Sequence, residues 1–558
     1  MRASPSSEGF KVSPYVSNIS KILVVAFILF CAIQAEEAGR IFASLSGMLL
    51  QNMKWVLLLS VTGICFFLLY LMISRYGLIK LGKDDEKPEY SFFSWASMLF
   101  SCGMGVGLIF WSVAEPMWHY TSNPFTKGLS DASATTAMQL TFFHWGLHAW
   151  SIYCVVALAV GYFSFRKDLP FALRTTLYPL LGKRVFGAIG HSIGIMVIVV
   201  TTFGISQTLA LGVLQINSGL NQVFGVSIGL TTQFIILFTL STIATISVVG
   251  GIGTGMRRLS ELNILLSILL VLIILSVGPA RYITHTYLEG IGNYAQNFIS
   301  MSLWSDAQKD SGWQNYWTAF YWAWWMTWAP FVGMFIAKIS RGRTIRQLIA
   351  GVLILPTLVT FLWMSVFGGS ALKIEQEARH AHEQQVALVE KQATATQTLV
   401  TAETTEIPTT TPKNETPQTI TEFSGGEIVK ATQQDNTLAI FTLFKKLDSG
   451  LLGTVLSILC VIVLVTYLVT SQDSGTHVLC FLDTLSSKDT PIKLRLIWSL
   501  FITLISAGLL YAGGLKAIQS AVILFGFPIS ILLILMCIAV FKALRQEPIV
   551  GHSAPIKD

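Results

Sequence analysis

Long, nearly uncharged apolar stretches follow one another along most of this chain of 558 residues. A helix needs about 20 apolar residues to cross a membrane. Only 12% of the residues are charged, too few to cover a soluble protein of this size, which excludes a soluble enzyme. We predict an all-α polytopic membrane protein with twelve transmembrane helices at residues 16–36, 52–77, 91–114, 134–163, 186–215, 229–250, 261–280, 315–339, 346–370, 450–472, 496–514 and 518–542.

Basic residues cluster at alternate ends of these stretches. Arg75 and Lys80 follow the second stretch, and Arg257 and Arg258 follow the sixth. Loops that stay in the cytoplasm carry such an excess of Lys and Arg. We therefore expect a multi-pass protein of the bacterial inner (plasma) membrane with both termini in the cytoplasm. The net charge of +7 is explained by topology, so nucleic acid is not an expected partner.

Two segments differ from the apolar stretches. Residues 372–435 are polar and rich in Thr, Glu, Gln and Pro, and the number of preceding spans places them outside the cytoplasm. We expect a helix to about residue 389 and, after it, a part whose composition is typical of disorder. The shorter, mixed stretch 284–303 predicts an amphipathic helix at the outer membrane surface.

Six of the 15 Trp residues lie between Trp313 and Trp328. Trp usually lies near the headgroups, yet these follow the eighth span through its interior. At about 100° per residue, Trp324, Trp325 and Trp328 share an arc of about 100°. Trp145, Trp150 and Tyr153 share an arc of about 140° on the fourth span. Two aromatic faces can form a cage for a quaternary ammonium group; the alternative is aromatic packing between spans.

The third span contains Gly103, Gly105 and Gly107. Each glycine weakens a helix by about 1 kcal/mol relative to alanine, so we predict an unwound segment over 103–107, as in the broken helices of secondary transporters. Pro330 predicts a second break in the eighth span. The third and eighth spans begin two five-helix stretches, helices 3–7 and 8–12. An odd number of spans in each makes the two repeats inverted.

Hydroxyl groups near the expected end of the tenth span suggest an ion site. Thr470 and Ser471, with free carbonyls nearby, offer the hard oxygen ligands that Na⁺ prefers, although such hydroxyls often bond to their own helix. Thr202 and Ser206, one turn apart on the fifth span, form a weaker candidate pair. We read Glu115 as interfacial and find no clear mid-membrane charge in any span, which disfavours a carboxylate-based proton pump. No transition-metal site is expected.

Three motifs resemble the betaine/carnitine/choline transporter (BCCT) family. They are Gly103-Met104-Gly105-Val106-Gly107 followed by Glu115-Pro116, the segment from His144 to Tyr153, and the block from Trp317 to Arg346. The resemblance implies a leucine-transporter fold after two extra N-terminal helices, often assembled as a trimer. The corresponding division is a tail at 1–15, the extra helices at 16–90, inverted repeat 1 at 91–283, a connection at 284–312, inverted repeat 2 at 313–545 interrupted by 372–435, and a tail at 546–558.

The resemblance also implies ligands. The family's aromatic box corresponds to Trp145, Trp150, Tyr153 and Trp325, and Trp324 and Trp328 match positions on the substrate path. In the sodium-coupled members, one Na⁺ site would use the side chains of Thr470 and Ser471 with the backbone of Ser101, Met104 and Tyr467. A second would lie near the fifth span and Phe331.

Two positions depart from the family pattern. Ala149 stands where Pro is usual. Gly107 stands where choline-type members have Asp, which favours a substrate that carries its own carboxylate. That carboxylate would meet backbone amides at Met104, Gly105 and Gly107.

We therefore predict a Na⁺-coupled symporter of glycine betaine or a similar trimethylammonium zwitterion, working by alternating access. Na⁺ serves as the coupling ion, no other cofactor is expected, and no enzymatic activity is expected. The alternatives are a choline or carnitine carrier, proton-coupled or an exchanger, and a non-transporting ligand sensor.

Overall fold

A computed structural model describes residues 14–103, 105–250, 253–403, 422–484 and 490–547. The described chain is built from helices, with one isolated antiparallel bridge between Lys80 and Thr344. The prediction of an all-α protein is confirmed for this part of the chain.

The helices follow the chain in this order. The first ten are α1 (Pro14–Ile33), α2 (Ala35–Ile73), α3 (Phe92–Gly103), α4 (Val106–Thr121), α5 (Asp131–Trp145), α6 (Leu147–Gly161), α7 (Tyr178–Leu181), α8 (Ala188–Phe224), α9 (Leu230–Gly250) and α10 (Gly253–Val277). The remaining ten are α11 (Ala280–Leu303), α12 (Trp313–Tyr316), α13 (Thr318–Ile339), α14 (Ile345–Met364), α15 (Ser370–Glu403), α16 (Glu427–Gln434), α17 (Ala439–Leu447), α18 (Leu451–Thr484), α19 (Ile492–Tyr511) and α20 (Leu515–Leu544).

Ten segments of the described chain are long and apolar enough to cross a membrane, so the protein is polytopic. Two predicted spans are not among the ten. The third is divided between the short helices α3 and α4, and the eighth is α13, where Trp and Tyr give the helix a partly polar surface. The count of twelve spans and the inverted repeats stay predictions.

The third predicted span is interrupted, as expected from its glycines. Helix α3 ends at Gly103, and α4 begins at Val106 with Gly105 in an extended conformation before it. The interruption is shorter than predicted, because Gly107 already belongs to α4. Met104 lies outside the described residues.

The predicted break at Pro330 is wrong. Helix α13 runs without interruption from Thr318 to Ile339. Membrane helices tolerate proline where neighbouring groups bond the polar atoms around it. Close to this proline, the Thr327 hydroxyl donates to the carbonyl of Trp324, and the Gln207 amide on α8 donates to that hydroxyl. Neither bond reaches the Met326 carbonyl, which is the acceptor that loses its helical donor at Pro330. The helix instead begins after a break at Trp317, whose φ and ψ are −111° and −83°.

The fourth predicted span contains a break that the sequence analysis missed. Helix α5 ends at Trp145 and α6 begins at Leu147, so Gly146 separates them. A Cβ atom at Gly146 would lie 2.6 Å from the Phe142 carbonyl oxygen and 2.9 Å from Tyr294 Oη. The Leu147 amide donates to Tyr294 Oη at 3.1 Å. The predicted arc assumed one continuous helix for Trp145, Trp150 and Tyr153. The break places Trp145 on α5 and the other two on α6, so the arc does not apply to Trp145.

The tenth predicted span continues well beyond residue 472. Helix α18 extends to Thr484, so Thr470, Ser471 and Asp473 lie in its interior. Asp473 is buried and accepts a hydrogen bond from the Ser247 hydroxyl.

The polar segment 372–435 is more ordered than predicted. Helix α15 extends to Glu403. After residues outside the description, α16 packs with Ile428 and Val429 fully buried. The Glu375 carboxylate on α15 accepts hydrogen bonds at the start of α16, at 2.6 Å from the amide of Gly426, which precedes the helix, and 2.8 Å from that of Ile428. An anion at a helix N-terminus satisfies unpaired amides and complements the helix dipole.

Ion pairs join the connections at the end of the molecule where basic residues cluster. The Glu547 carboxylate accepts from Arg166 at 3.0 Å, Lys167 at 2.6 Å and Tyr162 at 2.7 Å. Burial alone would raise the pKa of Glu547, but hydrogen bonds from these three side chains outweigh it and lower the pKa to about 2. The carboxylate therefore stays charged at neutral pH and ties the chain after α20 to the end of α6.

Replacing Glu375 with alanine removes the acceptor for the buried amides of α16. We expect Glu375→Ala to lower the free energy of unfolding by about 1–3 kcal/mol, the usual effect of leaving buried donors without a partner. Thermal denaturation of the purified protein would show this as a lower midpoint. Glu377→Ala is the matched control, because Glu377 is exposed on the same helix and, among the described residues, forms an ion pair with Lys373 alone. Equal midpoints for the two variants would contradict this role of Glu375.

Candidate functional site

One cavity gathers residues from six helices that are distant in the sequence. The lining residues are Gly105, Val106, Gly107, Leu108, Trp145, Tyr153, Thr208, Trp324, Trp325, Trp328 and Ser471. Eight of these eleven are residues that the sequence analysis singled out. Seven come from the three motifs, and Ser471 comes from the tenth predicted span.

The aromatic rings meet around Trp325. Its ring centroid lies 4.8 Å from that of Tyr153, 5.3 Å from Trp150 and 5.9 Å from Trp145. Trp145 also lies 6.3 Å from Trp324, with the two rings nearly perpendicular. Trp150 packs behind the lining instead of forming part of it. The cavity wall therefore presents aromatic rings from α5, α6 and α13, an arrangement that can bind a cation without hydrogen-bond donors.

The first turn of α4 forms another part of the wall. Gly105 and Val106 stand at its N-terminus, where backbone amides lack partners within the helix and the helix dipole favours an anion. A Cβ atom at Gly107 would lie 2.5 Å from Cη2 of Trp324. Glycine at this position is what allows Trp324 to approach the backbone of α4.

Trp328 is held in place by α8. Its Nε1 donates to the Gly204 carbonyl at 2.8 Å and to the Thr208 hydroxyl at 3.1 Å. The sequence analysis missed Thr208. A usable signal was present, since Gly204 and Thr208 are small residues four apart on one helix face, a spacing typical of close helix contacts in membranes.

The residues of the first predicted sodium site face two directions. Ser471 lines the cavity, whereas Thr470 accepts a hydrogen bond at 3.1 Å from Asn263 on α10 and donates to the Tyr467 carbonyl. The Tyr467 hydroxyl lies 3.1 Å from Ser267 Oγ, also on α10. The side chain of Ser101 and the whole of Met104 lie outside the description. This sodium site stays a prediction.

The second predicted sodium site is not brought together at the cavity. The Thr202 hydroxyl donates to the Ile198 carbonyl, and the Ser206 hydroxyl donates to the Thr202 carbonyl, so both bond to their own helix. Phe331 packs on Trp328, with ring centroids 5.4 Å apart. None of Thr202, Ser206 and Phe331 lines the cavity, and their role as sodium ligands stays a prediction.

Glu115 lies inside the protein; its interfacial position in the membrane and the absence of a mid-membrane charge stay predictions. Its side chain is fully buried in the interior of α4. One carboxylate oxygen lies 2.6 Å from His144 Nδ1 and 3.3 Å from His119 Nε2. The other accepts from Trp145 Nε1 at 2.7 Å. Pro116 suggested a helix end at this point, but α4 continues through it to Thr121.

Among the described residues, Glu115, His119 and His144 form a group that could hold a metal ion. One ligand atom from each lies within 4.8 Å of the others, and two imidazoles with a carboxylate form a donor set that zinc accepts. The same atoms already bond to one another, which satisfies the carboxylate without an ion.

Comparison with known proteins identifies the chain's relatives. A model of the BCCT family, the betaine/carnitine/choline family of transporters, matches residues 15–412 and 415–549. The glycine betaine transporter OpuD of Bacillus subtilis is 36% identical over 539 residues, which cover 96% of this chain and 95% of OpuD.

Two further relatives match along nearly their whole length. A probable glycine betaine transporter of Desulfitobacterium hafniense is 34% identical over 95% of this chain and 97% of its own. A glycine betaine/proline/choline transporter of Vibrio parahaemolyticus is 33% identical over 99% of this chain and 93% of its own. The family match and these relatives indicate a transporter and not an enzyme. The chain belongs to the betaine/carnitine/choline transporter family.

Proposed function

We propose that the protein is a Na⁺-coupled symporter of glycine betaine or a similar trimethylammonium zwitterion, working by alternating access. The observation that carries the proposal is the cavity that places the rings of Trp145, Tyr153 and Trp325 beside the first turn of α4. The rings attract a positive charge that has no N–H to donate. The amides of the first turn suit a carboxylate. A zwitterion of this kind matches both halves of the wall.

Betaine is favoured over choline by what surrounds Gly107. No side chain projects from this position, and the Trp324 ring occupies the space that a Cβ would need. The substrate's own carboxylate would therefore supply the negative charge at this end. A choline or carnitine carrier, proton-coupled or an exchanger, is the second candidate, and the Vibrio relative's name includes choline. A ligand sensor without transport is the third.

Sodium coupling rests on the position of α18. This helix packs against α4, so Thr470 and Ser471 lie on a helix that touches the interrupted span. We propose one Na⁺ site from these hydroxyls and the backbone of Ser101, Met104 and Tyr467. We propose a second near Thr202, Ser206 and Phe331. The proposal includes a homotrimer in the bacterial inner membrane with both termini in the cytoplasm.

Uptake into liposomes tests the ion coupling. We expect the purified protein to accumulate radiolabelled glycine betaine under an inward Na⁺ gradient, and to stop when K⁺ replaces Na⁺. The double variant Thr470→Ala/Ser471→Ala should reduce the initial rate at low Na⁺ by about tenfold or more, since it removes two oxygen ligands. Thr466→Ala is the control, because the Thr466 hydroxyl bonds only to carbonyls of its own helix. Full uptake without Na⁺ would favour an exchanger and contradict symport.

Substitution of Gly107 tests the shape of the cavity. Gly107→Ala forces Trp324 away from α4, and overpacking of this kind costs about 1–3 kcal/mol. We expect the KM for betaine to rise by about tenfold. Gly63→Ala is the control, since a Cβ atom at Gly63 on α2 meets nothing within 4 Å. An unchanged KM in a Gly107→Ala protein of normal thermal stability would show that Trp324 does not form the substrate site.

A further inference from the structure

We propose that Glu115 is a positioning residue for the aromatic cage, fixing Trp145 through its indole N–H and placing a buried negative charge at the N–H edge of that ring. The inference rests on the proposed function, since it assigns a residue that tunes affinity for the substrate's cation. Glu115 does not line the cavity. It reaches the site only through Trp145, which does.

The hydrogen bonds around Glu115 suit an ionised carboxylate. The indole Nε1 of Trp145 can only donate, and it lies 2.7 Å from one oxygen. His144 has Nδ1 2.6 Å from the other oxygen and Nε2 3.0 Å from the Thr318 hydroxyl. A neutral ring with its proton on Nδ1 satisfies both contacts, because it donates to Glu115 and accepts from Thr318.

The third donor completes the shell. His119 Nε2 lies 3.3 Å from the oxygen that His144 also approaches. With its proton on Nε2, His119 also donates, and three N–H groups then converge on the two carboxylate oxygens. Within the described residues, Glu115 has no Lys or Arg partner, and its ionic contacts are only to the two imidazoles. A buried carboxylate without a cation nearby is costly unless something positive approaches.

The charge reaches the cage through the ring. Trp145 stands nearly perpendicular to both Trp324 and Trp325, at 80° and 76°. Anchoring its N–H edge on Glu115 prevents the ring from turning away from that arrangement. A carboxylate at the N–H edge also makes the indole face more negative, which strengthens its attraction for a cation. A trimethylammonium group has no N–H, so it cannot replace the three donors by hydrogen-bonding to the Glu115 carboxylate itself.

A double-mutant cycle separates this role from a purely structural one. Glu115→Gln keeps the side-chain shape and an acceptor for the indole but removes the charge. Trp145→Phe keeps a ring but removes the N–H. We expect each variant to raise the Kd for radiolabelled betaine by about tenfold. We expect the double variant to bind no more weakly than the weaker single variant, because the charge of Glu115 acts through the indole N–H that Trp145→Phe removes.

The cycle has a matched control. Asp483 on α18 is a second buried carboxylate that accepts a hydrogen bond from an indole. Its donor is Trp498 Nε1 on α19, at 3.1 Å, and neither residue lines the cavity. Asp483→Asn should leave the Kd near the wild-type value. If the factors for Glu115→Gln and Trp145→Phe multiply in the double variant, or if Glu115→Gln binds as wild type does, the proposal is overturned.

The role of Glu115 can still be tested if Glu115→Gln does not fold. Trp324→Phe then replaces it, because it removes the same amount of ring from the cavity wall, and no hydrogen bond joins its indole to Glu115. A larger loss of affinity in Trp145→Phe than in Trp324→Phe supports the anchor, and equal losses overturn it. A wild-type protein that binds no betaine would overturn the proposed substrate instead of the role of Glu115.

Discussion

A helix in a membrane must satisfy its own backbone hydrogen bonds, because lipid offers none. This chain departs from that constraint between Gly103 and Val106, at Gly146 and at Trp317. Gly105, in the first departure, lines the cavity, and Gly146 directly follows Trp145, which also lines it. The third departure begins the helix that supplies most of the cavity's rings. Beside Gly146, the Tyr294 hydroxyl accepts a hydrogen bond from the Leu147 amide. The backbone amides and carbonyls at these interruptions thus lie where protein side chains or a ligand can form hydrogen bonds with them.

The polar content of the site comes from few groups. Aromatic faces supply the negative potential that a cation needs, and the first turn of α4 supplies amides for an anion. Glu115 adds one buried carboxylate, held by Trp145 and two histidines. The low charge content of the chain is therefore compatible with a charged substrate.

The sequence alone predicts the membrane class and most of the cage. Apolar length identifies the spans, and helical periodicity together with the family resemblance singles out Trp145, Tyr153 and Trp325, all of which line the cavity. It does not predict the break at Gly146, because that break depends on Tyr294, far along the chain. Pro330 predicts a break, yet α13 continues through it from Thr318 to Ile339.

Two other errors, like the missed break at Gly146, come from contacts between helices. Glu115-Pro116 has the pattern of a helix end, and only the packing of α5 against α4 reveals a buried carboxylate with three donors. The end of segment 372–435 has a polar composition, yet α16 is ordered because Glu375 binds its N-terminus. In each case the deciding partner lies on another helix, where single-segment patterns carry no information.

The central claim is that the cage recognises a positive charge and not only a shape. Glycine betaine and 3,3-dimethylbutanoate have the same shape and the same carboxylate, but a carbon atom replaces the charged nitrogen in the second. Binding of both to the purified wild-type protein tests the claim most directly. The account predicts that betaine binds at least about tenfold more tightly, since each ring contributes about 0.5–2 kcal/mol to a cation. Equal affinity for the two molecules would contradict it.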